Sequence, residues 1–401
     1  MSELYELPKG WEWKKLGSLT KTTSGGTPKR NNKAFWQGNI GWLKSGELND
    51  GYVTEVEEFI TEEGLKKSSA KLFPKGTLLI AMYGATVGKL AILDIETTTN
   101  QAICGVLNDK KLFDTRFMFF YFRNIRAKML IDSTGGAQPN LSQTYIKNLD
   151  IPLPPLQEQN RIVAKLDSLF AKIDQAIALH QQNIDEAEGF MGSVLNEVFG
   201  ELEGEYEKTT LYNLATFQNG FAFKSKEFNT EGKGLKVIRI GNVLDLDKNP
   251  VYIDERTEFN KYLLREKDIV ISMTGTRTKK DYLFVRIVDT NDSYLNQRVG
   301  KITYTENSDH NFLYYYLQSS SFRNKIFTFE TGAVNQGNIS GKDIMNSKIV
   351  DAPLHIQQKT VQYLDQLSQK TETLKQVQTE KMESLKALKA SILDQAFRGE
   401  I

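Results

Sequence analysis

Residues 155–169, PLQEQNRIVAKLDSL, recur in pattern at residues 353–367 as PLHIQQKTVQYLDQL. In both places a proline is followed by apolar residues spaced three and four apart, which predicts the start of an amphipathic helix. Neither segment contains a later proline, so we expect uninterrupted helices over about 156–198 and 354–397. These helices divide the chain into two blocks of similar length, each followed by its own helix.

Other segments repeat in the same order, with a period near 197 residues. FPKGTLLIAMYGATVGKLAILD (73–94) corresponds to LREKDIVISMTGTRTKKDYLFVRIVD (264–289), and Asn100-Gln101 corresponds to Asn296-Gln297. DTRFMFFYFRN (114–124) corresponds to DHNFLYYYLQS (309–319). No single match is decisive, but a consistent order of matches predicts an internal duplication.

Each block combines strand and helix signals, which predicts an α+β fold built from two similar mixed α/β domains. β-branched runs at 77–81 and 269–272 predict strands. Asp114 and Asp309 are the expected N-caps of helices of four to five turns. Glycine-rich polar loops at 134–142 and 331–340 follow, before the prolines.

The two long helices carry matching apolar stripes that predict a coiled-coil seam. The stripe residues are Ile162, Leu166, Leu169, Ile173, Ile177, Ile184, Ala187, Met191, Val194 and Val198, then Leu364, Leu367, Thr371, Leu374, Met382, Leu385, Leu388 and Ile392. His180 and Gln378 interrupt the stripes at equivalent positions, where a polar residue commonly fixes register. A histidine at the edge of the seam is an equally good reading, and metal binding by His180 is not expected. We expect the helices to pair antiparallel, relating the two halves by a pseudo-two-fold axis.

Composition places the chain among ordinary globular proteins. Its 401 residues include 51 Lys+Arg, 50 Asp+Glu and a single cysteine, Cys104. One thiol excludes an internal disulfide and suits a reducing compartment. No apolar run reaches the roughly 20 residues of a membrane span, and the N-terminus lacks a secretory pattern. We therefore expect a cytoplasmic protein.

The near-zero net charge conceals a segregation along the chain. Residues 156–208 carry 4 basic and 11 acidic side chains, a net of −7. Residues 1–155 carry 20 basic and 16 acidic side chains, and residues 209–355 carry 20 and 17. Two mildly basic blocks permit nucleic-acid binding without requiring it.

The usual catalytic motifs are missing from the sequence. GATVGK (84–89) continues with Leu90 and so is not a Walker A loop. Asn249-Pro250-Val251-Tyr252 is close to the Asn/Asp-Pro-Pro-Tyr motif of DNA amino-methyltransferases, but valine replaces the second proline and no glycine-rich cofactor loop precedes it. A plain turn explains this segment better. We predict a non-catalytic chain with no metal site.

Small, hydroxylated and cationic residues cluster in loops of both blocks, as in phosphate-binding surfaces. Arg277 and Arg298 are the best candidates for bidentate contact with a guanine edge, and glycines are expected to free backbone N–H groups for phosphates. The alternative, that these are only solvated surface loops, stays open. The candidate DNA-binding residues are Thr22, Ser24, Gly25, Gly26, Thr27, Lys29, Arg30, Lys33, Trp36, Lys44, Tyr83, Thr86 and Lys89 in the first block, and Asn219, Phe221, Lys224, Arg239, Thr274, Arg277, Lys279, Lys280 and Arg298 in the second.

The whole chain resembles the specificity subunits of Type I restriction–modification systems. The resemblance rests on LPKGWEWKKLG at the start, SGGTPKRNNKAFWQGNIGWLKSGEL, GTLLIAMYGATVGK, TNQA, and NLDIPLPPLQEQNRIVAKLD leading into the first long helix. It implies target-recognition domains at 1–155 and 201–353, each recognising one half of a split DNA sequence. It also implies coiled-coil helices at 156–200 (central conserved region) and 354–401 (distal conserved region), which set the spacer.

The resemblance further implies partners and cofactors. Two methyltransferase subunits would dock near Pro154, Pro155, Gln157, Glu158 and Pro353. Restriction subunits would join through that methyltransferase core. S-adenosylmethionine, ATP and Mg²⁺ are expected on the partner subunits and none of them on this chain. A degenerate DNA adenine methyltransferase and a two-domain scaffold that does not bind DNA remain as alternatives.

Overall fold

The computed structural model describes residues 4–133, 140–289, 291–333 and 335–401. The chain divides into two compact units, one formed by residues up to Leu179 together with Glu380–Ile401, the other by His180–Thr379. Residues 134–139 and 334 of the two predicted glycine-rich loops lie outside the described residues. Among the residues that are described, no helix is both long and apolar enough to cross a membrane.

The first unit contains three sheets. Its strands are β1 (Glu12–Lys15), β2 (Thr22–Ser24), β3 (Trp36–Leu43), β4 (Tyr52–Val53), β5 (Glu58–Ile60), β6 (Leu72–Phe73), β7 (Leu78–Ala81), β8 (Leu90–Leu93), β9 (Thr97–Thr99), β10 (Ile103–Val106) and β11 (Asp150–Leu153). One sheet has the order β2-β10-β7-β8-β4, a second has the order β5-β3-β9-β6, and β1 pairs with β11. The predicted strand at 77–81 is confirmed as β7, which lies at the centre of the larger sheet.

The helices of this unit are short before the chain enters the first long one. They are α1 (Leu16–Leu19), α2 (Glu62–Lys66), α3 (Thr115–Asn124), α4 (Arg126–Asp132) and α5 (Gln143–Lys147). The predicted cap at α3 is confirmed, because the Asp114 side chain accepts from the Phe117 N–H. The expected single helix of four to five turns is wrong: Ile125 ends α3 and precedes α4.

The second unit repeats this plan after the first long helix, α6 (Leu156–Glu205). Its strands are β12 (Lys208–Thr210), β13 (Ala215–Asn219), β14 (Leu235–Ile238), β15 (Tyr252–Ile253), β16 (Ile269–Ser272), β17 (Thr274–Gly275), β18 (Val285–Ile287), β19 (Ser293–Leu295), β20 (Val299–Tyr304), β21 (Gly337–Asn338) and β22 (Lys348–Val350). The main sheet has the order β13-β20-β16-β18, the second has the order β15-β14-β19, and β12 pairs with β22 and β17 with β21. The strand predicted at 269–272 is confirmed as β16.

The helices of the second unit are α7 (His310–Gln318), α8 (Ser320–Phe327) and α9 (Gly341–Met345), followed by the second long helix α10 (Leu354–Arg398). Asp309 caps α7 by accepting from the Asn311 and Phe312 N–H groups, which confirms the predicted cap. Ser319 separates α7 from α8 and caps the latter. The same interruption therefore follows the capped aromatic helix in both halves.

Each long helix contributes one end to each unit, and the paired segments are antiparallel. In the first unit Asp174 lies 2.6 Å from Lys389, whereas Arg161 donates to the main-chain oxygen of Ile401. In the second unit Glu188 pairs with Lys375 at 3.2 Å, and His180 contacts Gln378. As the residue number increases along α6, the number of the contacted residue of α10 decreases. This order confirms the expected antiparallel coiled coil.

Equivalent aromatic residues anchor the ends of the long helices to the two units. Phe397 of α10 packs edge-on against Phe117 and Tyr121 of α3. Phe199 of α6 packs in the same way against Phe312 and Tyr316 of α7.

Two residues of the predicted apolar stripe do not lie in the helix–helix seam. Leu374 and Leu388 are 44% and 48% exposed. The stripe prediction is wrong at those two positions.

Candidate nucleic-acid interface

The first candidate loop follows β2, where Gly25 and Gly26 pass close to the loop after β9. Gly25 N–H donates to Ile103 O and Gly26 N–H donates to Thr99 O. A Cβ on Gly25 would overlap the side chain and carbonyl of Thr99. The two glycines therefore permit a close approach of main chains, and the expectation that their N–H groups are free for phosphate is wrong. Thr22 is buried, while Ser24 and Thr27 are half-buried.

Three predicted residues of the first unit meet around Glu58. The Arg30 guanidinium lies over the Trp36 ring, 3.9 Å from its centroid, and both of its Nη atoms contact the Glu58 carboxylate. Lys44 Nζ lies 3.2 Å from the same carboxylate and 2.7 Å from that of Glu57. The hydrogen bond from Arg30, together with Lys44, holds the pKa of Glu58 below its usual value. Sequence reasoning missed the two glutamates, which neutralise these cations.

The other cations predicted to bind DNA in the first unit are exposed to solvent. Lys29, Lys33 and Lys89 are exposed and have no carboxylate within salt-bridge distance among the described residues. Tyr83 is also exposed and lies just after β7, where it forms an isolated antiparallel bridge with Asn140. The Thr86 hydroxyl donates to the Tyr83 carbonyl. These side chains are free to meet a polyanion, unlike Arg30 and Lys44.

The corresponding loop of the second unit begins at the end of β13. Asn219 and Lys224 are exposed there. Phe221 instead packs into an aromatic cluster, with ring centroids 5.0 Å from Phe259 and 5.1 Å from Tyr262. Its ring therefore packs against the cluster beside the sheet β15-β14-β19, and contact of the half-buried Phe221 with DNA stays a prediction.

Arg239 and Arg298 line one surface cavity together with Asn249 and Asn296. Arg239 Nη2 donates to Asn249 O at 2.6 Å, and Asn249 has a φ of +48°. The Asn249-Pro250-Val251-Tyr252 segment is thus a turn supported by an arginine, as the plain-turn interpretation predicts. Arg298 is exposed, with Nη1 3.4 Å from the hydroxyl oxygen of buried Thr274.

The basic loop after β17 carries Arg277, Lys279 and Lys280, all exposed. Arg277 Nε lies 3.0 Å from a carboxylate oxygen of Glu330, and Lys280 Nζ lies over the Phe327 ring. Lys279 makes no salt bridge within the described part of the chain. Glu330 was not foreseen from sequence, because 53 residues separate it from Arg277.

The expected partner-docking positions lie where the first and second long helices begin. Pro155, Gln157 and Pro353 are exposed, whereas Glu158 pairs with Arg161 at 2.7 Å. Pro154 is buried and its carbonyl accepts from the Gln159 side chain. Pro154 therefore offers little surface to a partner, and its carbonyl helps to hold the start of the first long helix.

No group of three or more histidine, cysteine, aspartate or glutamate side chains that could hold a metal occurs among the described residues. Cys104 is buried, and burial raises the pKa of its thiol to about 12. The exposed candidate residues are thus loop cations together with Tyr83 and Asn219, and both repeated units contribute to them.

Comparison with known proteins finds relatives that match this chain over almost its whole length. The chain is 23% identical over 425 residues to the Type I restriction enzyme MjaIX specificity subunit of Methanocaldococcus jannaschii, covering 100% of this chain and 95% of that protein. It is 25% identical to the EcoKI specificity subunit of Escherichia coli K12, covering 99% and 90%.

A chain from a solved structure concerned with complex assembly and conformational transition of the type I R-M system superposes with a TM-score of 0.77 at 23% identity. The match covers 99% of this chain and 100% of that one. This likeness shows the fold. The family model of the Type I restriction modification DNA specificity domain matches twice, at residues 8–188 and 203–383. The chain belongs to the family of Type I restriction modification DNA specificity proteins, with two tandem copies of the domain.

Proposed function

We propose that this chain is the DNA-recognising specificity subunit of a Type I restriction–modification enzyme and is not itself catalytic. The observation that carries the proposal is the duplicated specificity domain, which matches at residues 8–188 and 203–383. Each copy presents loop cations after equivalent strands, Lys89 after β7 and Lys279 after β16. Lysine and arginine in such loops neutralise phosphates, and the loop sequences differ between the copies.

Two domains that differ in their loops are suited to a DNA target with two different halves. Each domain would contact one half-site, and the paired helices would set the number of unspecified base pairs between them. Methyltransferase subunits would dock beside the exposed Pro155, Gln157 and Pro353, and restriction subunits would join through them. S-adenosylmethionine, ATP and Mg²⁺ would be bound by those partners, in the cytoplasm.

A selection from a random duplex library tests the proposal. The methyltransferase subunit is used with and without this chain, and bound DNA is sequenced. Enrichment of a split motif with a fixed gap, seen only when the chain is present, is the expected result. The same motif in both samples would assign recognition to the partner, and no motif in either would support a scaffold role.

A further inference from the structure

Arg277 is held by a carboxylate that a buried tyrosine also holds. Arg277 Nε donates to Glu330 Oε2 at 3.0 Å, and the Tyr282 hydroxyl donates to Glu330 Oε1. The Glu330 side chain is only 9% exposed, and Tyr282 is fully buried. Each carboxylate oxygen therefore accepts from one donor. Because Tyr282 holds the carboxylate in place, the bond from Nε fixes the orientation of the Arg277 guanidinium group.

The contact with Glu330 determines which nitrogens of the Arg277 guanidinium group stay available for binding. Its contact with Glu330 uses Nε, and neither Nη atom has a hydrogen-bond partner among the described residues. Arg30 in the first unit is the opposite case, because Glu58 engages both of its Nη atoms. Two free, parallel Nη–H groups are what end-on bidentate recognition of guanine O6 and N7 requires.

Hydrogen bonds from α8 and within the turn hold the loop around Arg277. Arg323 of α8 donates to the carbonyls of Leu283 and Tyr282 at 2.7 and 3.0 Å. Thr276 N–H donates to a carboxylate oxygen of Asp281 at 2.6 Å, which closes the turn. Such bonds reduce the conformational freedom that the loop would lose on binding.

A glycine leaves room for the tyrosine–carboxylate bond. Gly337 of β21 lies so close that a Cβ there would overlap Glu330 Oε1 and the Tyr282 hydroxyl. Within the described residues 83–89, the equivalent loop of the first unit, no tyrosine hydroxyl contacts a carboxylate, and Thr86 stands where Arg277 stands in the second unit. The feature therefore distinguishes the second unit from the first.

We propose that Glu330 and Tyr282 are positioning residues that present Arg277 for end-on recognition of one guanine in the half-site contacted by the second unit. This inference rests on the proposed function and names a residue-level determinant of its specificity. Arg277 touches the base, whereas Glu330 and Tyr282 act only through Arg277.

The test uses the full chain with its methyltransferase subunit and the selected split motif. Variants R277A, E330Q and Y282F are compared with wild type, and E306Q serves as a control because it removes an exposed carboxylate from the same unit. Glutamine is neutral and has one acceptor oxygen where the carboxylate has two, so in E330Q neither Arg277 nor Tyr282 keeps a hydrogen bond to a charged acceptor. Phenylalanine at position 282 keeps the ring that packs 5.1 Å from Phe327.

R277A should make one guanine of one half-site degenerate, losing roughly 5- to 150-fold of discrimination at that base pair. E330Q and Y282F should lose part of that discrimination at the same base pair. Affinity of E330Q for unrelated DNA should not fall, because a negative charge has been removed. E306Q should leave discrimination unchanged. A merely structural role for Glu330 would instead weaken binding to all sequences equally.

An unchanged motif with R277A would overturn the inference while leaving the proposed function intact. A motif altered by R277A but unaffected by E330Q and Y282F would show that Arg277 recognises the base without their help. Absence of any motif with the wild-type chain would remove the proposed function and this inference together.

Discussion

His180 and Gln378 meet in the seam between the two long helices, with His180 Nδ1 2.5 Å from Gln378 Oε1. The Gln378 side chain is buried, and its oxygen also lies 3.4 Å from Asn183 Nδ2. Since the amide oxygen only accepts, the imidazole proton belongs on Nδ1. The two residues occupy equivalent places in the repeat, so the antiparallel pairing brings a position into contact with its own counterpart. A polar pair at such a point fixes register.

Replacing one member of this pair should cost more than replacing both. H180L leaves the buried Gln378 oxygen with only the long bond from Asn183, so we expect a loss of about 1–3 kcal/mol in the free energy of unfolding. H180L/Q378L should return to the wild-type value or exceed it, because no polar group is then stranded. Urea unfolding followed by circular dichroism measures both. A double variant as unstable as H180L would show that the polar pair itself is stabilising.

The buried glutamines at the start of the long helices should be equally sensitive. Gln159 accepts from Asp114 N–H at 2.8 Å and donates to Pro154 O at 2.8 Å. Gln357 makes the same two bonds, with Asp309 N–H and Ala352 O. Q159L or Q357L strands two main-chain groups and should cost about 2–4 kcal/mol in unfolding free energy.

Denaturant midpoints compare these two variants with Q157A, which changes an exposed glutamine on the same turn as Gln159. We expect Q157A to unfold like the wild type. If Q159L did the same, the Asp114 and Pro154 groups would have to be satisfied by water instead.

Lys279 and Lys280 should contribute affinity without base preference. Both are exposed on the basic loop of the second unit. For K279A/K280A we expect weaker binding and a slope of log K against log salt that is shallower by about 0.9 for each phosphate that is no longer neutralised. Fluorescence anisotropy across a salt series gives the slope, and the selected motif should not change. A slope equal to that of the wild type would place this loop away from the DNA.

Lengthening both long helices should change the number of base pairs between the two half-sites and leave the half-site sequences unchanged. A heptad inserted after Leu179 and another after Thr379 preserves the seam period at the boundary of the two units. Seven residues add about 10 Å, close to three base pairs of duplex. Library selection should therefore return the same half-sites with a gap longer by about three base pairs.

A heptad inserted in only one helix is the control, since it leaves the partner helix without matching residues. We expect that variant to lose the fixed gap. An unchanged gap in the doubly lengthened chain, or altered half-sites, would count against the helices as the spacer.

Features that depend on near neighbours in the chain could be predicted from the sequence. The caps at Asp114 and Asp309, the strands β7 and β16 and the two long helices follow from side chains within a few residues of one another. The duplication then implies that what forms in one half forms in the other. The polar seam positions His180 and Gln378 are visible for the same reason.

The partners of the binding residues were decided only by the tertiary structure. Gly25 gives its N–H to Ile103, Arg30 is neutralised by Glu58, and Arg277 is held by Glu330. These contacts join residues 28 to 78 positions apart, and the sequence does not indicate which carboxylate or carbonyl lies nearby. Local patterns set the elements because helices and strands close their bonds over short distances. Which cations remain free depends on long-range packing, because only the folded chain brings their neutralising partners into reach.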